Sequence, residues 1–280
     1  MQDCEKTLLW LRIGKVIMIR STSDFGKIEK NRSYLNSTIA EALCEIRFDC
    51  DPSQNLVSEE VLKALKVELS SDYPSMTEQQ IKQFQAAINE MGITVDEAKL
   101  NTTRLIFKHR DRNHIVQFLP NILTINEVER YPGWDLFLQD ISRGWKALNL
   151  GFSSVFPKSI ALRYINLIPR KNHLESLSAW FKPNVYYPDA ILNTSTGFLA
   201  RNEFSLEKNV RLIVTLSEPI QNKTKSNIIF DIDVVSNLEE QAIDWDTINN
   251  HLKRLHNMIW EVFSTSLSHK FEALLNGELL

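Results

Sequence analysis

Six histidines, at positions 109, 114, 173, 251, 256 and 269, are the first side chains to weigh for metal binding or proton transfer. None stands in an H-E-x-x-H or H-x-H arrangement. His251 and His256 lie about 140° apart around a helix, so they do not share a face as ligands at i and i+4 would. Asp231 and Asp233 alternate with Phe230, Ile232 and Val234, which projects both carboxylates from one face of a strand. There they suit a shared divalent cation, or an ion pair with a neighbouring arginine such as Arg211. Glu41, Glu45, Arg163 and Asn166 are the other polar residues set within strands. In an acid–base reading a first-strand glutamate acts on a substrate anchored by Arg163; in a structural reading these groups form an ion pair across adjacent strands. Lys108, Arg110 and Arg112 concentrate basic charge at a hairpin tip, where they suit phosphate contact or simple solvation. G-x-S-x-G, G-x-G-x-x-G and G-K-[ST] are all absent from the sequence, which removes the standard serine-nucleophile and phosphate-loop chemistries. No metal or cofactor is expected.

These side chains need a folded scaffold, and the composition supplies one. The 280 residues are 43% hydrophobic and 24% charged, as in an ordinary globular protein, and suffice for one large or two smaller domains. The 32 Lys and Arg against 35 Asp and Glu leave a net charge of -3, so no global basic field draws nucleic acid. Cys4, Cys44 and Cys50 are an odd number without C-x-x-C spacing, which fits free thiols in a reducing cytoplasm. Charges interrupt the apolar stretches of residues 1–32, so neither a signal peptide nor a membrane span is expected there. These residues read as an appendage before the main fold.

Strict alternation predicts a strand over Ala42–Cys50, with Ala42, Cys44, Ile46, Phe48 and Cys50 on one face. Ser58 then caps a helix carrying Val61, Leu62, Leu65 and Leu69. A second helix is predicted from Thr77, with Gln80 completing a capping box and Ile81, Phe84, Ile88 and Met91 at helical spacing until Gly92. Strands follow over Leu100–His109, His114–Leu119 and Ile122–Val128, then a helix from Trp134 to Leu148. A new strand, Ser159–Ile168, opens a similar order: a short helix over Leu174–Phe181, three strands, and a long helix from Asp244 or Asp246 to about Leu275. Both long helices open on Trp-Asp, at Trp134-Asp135 and Trp245-Asp246. The expected fold is α+β: two tandem helix-grip-like lobes, residues 33–152 and 153–280, each an antiparallel sheet packed on helices.

Glu41-Ala42-Leu43-Cys44-Glu45-Ile46-Arg47-Phe48, Gly133-Trp134-Asp135, Leu162-Arg163-Tyr164-Ile165-Asn166-Leu167-Ile168 and Leu255-His256 followed by Phe263 form an ordered set. This set resembles a family of sporadically distributed bacterial and archaeal proteins of about this length, and the likeness begins near residue 33. The resemblance implies a fold-length unit and horizontal transfer, and with them an accessory role in mobile or defence loci rather than a particular reaction. Residues 1–32 depart from the family's pattern.

Apolar excess on the last helix suggests the function. Met258, Trp260 and Phe263 add to a stripe already complete at Ile248, Leu252, Leu255 and Ile259. The expectation is therefore a noncatalytic binding or adaptor protein that takes a protein partner, encoded nearby, on this helix and the groove between sheets. Burial of the same residues between the two halves is the competing reading. The alternative class is an enzyme or nucleic-acid sensor using Arg163, Asn166 and the paired carboxylates. Self-association is left open, and no membrane attachment is expected.

Overall fold

A computed structural model describes residues 34–51, 55–89, 92–170, 175–187, 192, 198–218, 226–239 and 244–278, with backbone alone for 82–89, 92–101 and 226. The described strands are β1 (Ile39–Cys50), β2 (Ser75–Asn89), β3 (Gly92–Lys108), β4 (His114–Leu119), β5 (Ile122–Val128), β6 (Val155–Arg170), β7 (Leu199–Glu207), β8 (Val210–Ser217) and β9 (Ser226–Asn237). The described helices are α1 (Glu59–Leu69), α2 (Trp134–Gly151), α3 (Trp245–Ser266) and α4 (His269–Leu275). All nine strands join one sheet in the order β2-β3-β4-β5-β1-β6-β9-β8-β7, every neighbouring pair antiparallel. The fold is therefore α+β with a large antiparallel sheet and a helical C-terminus. β1 and β6 pair at the centre, from Glu41↔Ile165 to Cys50↔Val155, so the stretches 33–152 and 153–280 contribute to one continuous sheet. Contacts gather Ser33–Leu280 into one compact unit; Met1–Arg32, the expected appendage, lies outside the described residues.

Alternation decides which face is covered. Ala42, Cys44, Ile46 and Phe48 are buried, as are their neighbours Leu123 and Ile125 on β5, Ile160, Leu162 and Tyr164 on β6, and Phe230, Ile232 and Val234 on β9. Fully burying each large apolar side chain contributes roughly 1.5–3 kcal/mol, so this face is the main source of stability. All the described helices pack here. α2 settles against Leu123 and Ile125 of β5 at Gly144. Phe263 of α3 stacks on Phe230 with ring centres 6.2 Å apart. Phe271 of α4 packs on Phe181, which in turn packs on Phe230, and α1 rests on α2 where Val61 meets Gly151.

The caps are local and sequence-encoded. Ser58, Asp244 and Ser268 accept hydrogen bonds from the backbone N–H groups of Val61, Thr247 and Phe271, starting α1, α3 and α4. Gly133 turns the chain into α2 at φ 101°, a conformation that any side chain would strain. Both long helices begin at the expected Trp-Asp pairs.

Three elements differ from expectation. The stretch from Thr77, read as a helix, is strand β2, paired with β3 from Ser75↔Lys108 to Asn89↔Gly92 with one irregularity between Lys82 and Phe84. Its helical spacing was compatible with a helix, but a long partner strand satisfies the same backbone groups, and tertiary pairing overrides propensity. Met91 lies outside the described residues. The predicted helix over Leu174–Phe181 is a single 3-10 turn, Leu177–Ala179, with residues 171–174 outside the described set. The last helix does not run unbroken to Leu275. It stops after Ser266, where Leu267 bridges to Phe181 and Ser268 N–H donates to the Trp180 carbonyl. The Ser268 hydroxyl then donates to the Ala179 carbonyl while capping α4. Among the described residues no helix is long and apolar enough to cross a membrane.

Candidate functional site

The second face of the sheet carries no described helix, and its centre is polar. Odd-numbered residues of β1, β6, β8 and β9 point here, opposite the buried even-numbered set. Arg163 of β6 stands beside Asp233 and diagonally from Asp231 on β9. Its Nε and Nη2 donate to the two oxygens of Asp231 at 2.8 and 2.7 Å. This fork holds Arg163 more firmly protonated than usual. Asp231 is 9% exposed at its side chain whereas Arg163 is 40% exposed, so the cation is the part of the pair that solvent reaches. Asp233 is different. Its Oδ1 is buried without a hydrogen-bond partner, and burial pushes its carboxyl up to about 6 against the opposing pull of Arg163.

The polar row continues across the central pair of strands. Gln117 of β4 donates to Asn126 of β5 at 3.1 Å, and Asn126 donates to Glu41 of β1 at 2.6 Å. Glu41 in turn adds to the field on Arg163. One band of hydrogen-bonding groups thus crosses β4, β5, β1, β6 and β9. Four of the six residues singled out in the sequence, Glu41, Arg163, Asp231 and Asp233, belong to it.

The other two do not. Glu45 is on the same face but pairs with Arg47, two residues along its own strand. Asn166 is on the helix-covered face, 2% exposed, accepting from Thr38 and donating to the Phe230 carbonyl. Its even position opposes Arg163, so the two cannot share a ligand across the sheet. A cation shared by Asp231 and Asp233 is also disfavoured, because Arg163 occupies both oxygens of Asp231.

The basic hairpin tip divides in a similar way. Lys108 is exposed, and Arg110 donates to the Ser71 carbonyl at 2.5 Å. Arg112 turns inward, bonded to Asp140 of α2 at 2.7 Å and 3.4 Å from Glu127. Of these three, Lys108 alone makes no side-chain hydrogen bond or ion pair among the described residues. Arg112 belongs instead to a buried cluster that sequence reading missed. His114 Nδ1–H donates to Glu127 at 2.8 Å and lies 3.9 Å from Asp140, with all three residues nearly inaccessible. The spacing suits a metal ion, yet Arg112 already supplies the positive charge between the two carboxylates, so the group reads as a buried ion-pair network, with His114 Nε2 left without a hydrogen-bond partner among the described residues. A signal was present: a two-residue turn at Pro120-Asn121 sets His114 directly opposite Glu127.

The aromatic end of α3 is occupied within the chain. Met258 is 1% exposed and cannot be a surface anchor. Phe263 is half-buried, stacked on Phe230 and edge-on to Phe271. Trp260 is half-buried against Tyr34 and Phe263. Of the three residues expected to face a partner, Met258 is in the core and Trp260 and Phe263 are half-buried against aromatic neighbours of the same chain. His256 stacks on Trp134 at 4.1 Å, where burial lowers its pKa to about 4 and leaves it neutral.

No protein-family model matches the chain, and a search of curated proteins finds no match.

Proposed function

We propose that the chain is a noncatalytic binding protein that takes a protein partner on the helix-free face of its sheet, as an accessory or adaptor component. The observation that carries this reading is the half-exposed Arg163 at the centre of a polar band that carries both signs of charge. Around it the face mixes Leu43, Ile165 and Leu167 with the opposite charges of Glu41, Glu45, Arg47, Arg163 and Asp231. Apolar groups interspersed with both signs of charge suit a protein surface better than a polyanion, which calls for concentrated basic charge. The architecture supports tandem origin: outward from β1 and β6, each half of the sheet runs first strand, last strand, then the intervening strands in reverse order. Two helix-grip-like lobes joined through their first strands would present such a broad shared face.

The alternative is an enzyme, and Asp233 favours it: a carboxyl poised near 6 beside an arginine is suited to proton transfer. Affinity capture from native cells separates the two. Wild type, Arg47→Glu plus Leu167→Glu on the sheet face, and Leu150→Glu on α2 are compared after circular dichroism confirms their folds. All three positions are exposed. The binding reading expects one protein held by wild type and Leu150→Glu and lost from the face variant. Retention by the face variant contradicts it, and turnover of a small molecule abolished by Asp233→Asn replaces it with the enzyme reading.

A further inference from the structure

We propose that the chain forms a homodimer by antiparallel pairing of β7 with β7 of a second copy. Among the described strands β7 ends the sheet and pairs only with β8. Glu218 N–H donates to the Phe198 carbonyl at 3.0 Å, one step beyond the Leu199↔Ser217 pair. Position 198 therefore turns its backbone toward β8, and by alternation so do Ala200, Asn202 and Phe204. Leu199, Arg201, Glu203 and Ser205 turn theirs outward, a row of donors and acceptors without a strand partner among the described residues.

Two of the devices that usually blunt such an edge are absent from β7 itself. β7 contains no proline and no lysine, and its one irregularity lies at the far end, between Ser205 and Glu207. Leu199 is 74% exposed. The charges on the edge are complementary to themselves. A two-fold axis through Asn202 sets Arg201 opposite Glu203 of the second copy and Glu203 opposite its Arg201, with Leu199 opposite Ser205 at each end. The same register matches every outward N–H and C=O from Leu199 to Ser205 with a partner, because Asn202 takes the position where antiparallel strands exchange no hydrogen bonds. Arg201 and Glu203 already meet within β7 at 2.9 Å and are about half exposed, so both remain on the surface and can be shared across the axis. A second copy is the partner for which this pattern is complete.

The test is sedimentation of the full chain. Wild type is expected at twice the mass of one chain. Arg201→Glu and Glu203→Arg are each expected to be monomeric, since each sets like charges opposite one another twice. Mixing these two variants restores every pair and should give a heterodimer, and the double variant carrying both changes should dimerise alone. A monomeric wild type overturns the proposal, as does a dimer that survives either single change. If one single variant fails to fold, the double variant decides: it dimerises if the register is right and sediments as a monomer if it is wrong.

Discussion

Replacing Arg163 by alanine removes both hydrogen bonds from Asp231 and leaves that carboxylate, 9% exposed, beside Asp233. Breaking a fully buried pair costs about 3–5 kcal/mol, because one charge is stranded away from water. Arg163 is 40% exposed, so solvent reaches the gap, and the expected loss is lowered to about 2 kcal/mol. Urea denaturation at pH 7 reads this as a shifted midpoint with unchanged slope. A cycle with Asp231→Asn should give a coupling of about 1–2 kcal/mol, since the two side chains bond directly. A second readout is local. Arg163 pulls the Asp233 carboxyl down against the effect of burial, so its removal should raise the Asp233 midpoint above its value of about 6 in carboxyl NMR titration. A variant that unfolds like wild type, with the Asp233 midpoint unmoved, refutes the geometry assigned to the band.

Asp233→Asn should stabilise the protein by on the order of 1–2 kcal/mol at pH 7. The folded carboxyl holds its proton up to about 6 and the unfolded one only to about 4, so wild type loses stability as pH rises between these values and the advantage disappears in urea titrations below about pH 4. His256 has the opposite sign: its folded pKa of about 4 lies below the ordinary 6.5, so protons favour the unfolded chain as pH falls through this window. His256→Phe, which keeps a ring against Trp134, should remove about 2 kcal/mol of that acid sensitivity in the same titration. Arg112→Met should cost about 3 kcal/mol by thermal or urea unfolding, since Glu127 and Asp140 then face one another with only His114 between them. Ser58→Ala should cost about 1 kcal/mol by the same measure, through loss of the α1 cap.

Local patterns were legible where one rule acted alone. The alternation around Cys44, the caps at Ser58 and Asp244 and the two Trp-Asp helix starts each reappear in the fold. Thr77–Met91 misled because Ile81, Phe84 and Ile88 satisfy helical spacing while the pairing with β3 that decides the matter is not local. In the site, side-chain direction was readable for Arg163, Asp231 and Asp233, since alternation fixes their face. Partner choice was not: Arg163 rather than Arg211 takes Asp231, which depends on the β6–β9 register. Met258 and Phe263 looked surplus because a single helix stripe was compared with a single sheet, whereas a nine-stranded sheet buries more of α3. The cluster of His114, Glu127 and Asp140 joins two strands to a helix, and only the strand pair was within reach of turn arithmetic.

The central claim is that a protein partner covers the helix-free face of the sheet. Arginine-directed labelling of the native protein, free and bound to the captured partner, tests it most directly when each modification is located by mass spectrometry. Arg47 and Arg163 lie on that face, 53% and 40% exposed at their side chains, while Arg254, also 40% exposed, belongs to α3 on the helix side. The account predicts that the partner shields Arg47 and Arg163 and leaves Arg254 as reactive as before; shielding of Arg254 with Arg47 and Arg163 unchanged would contradict it.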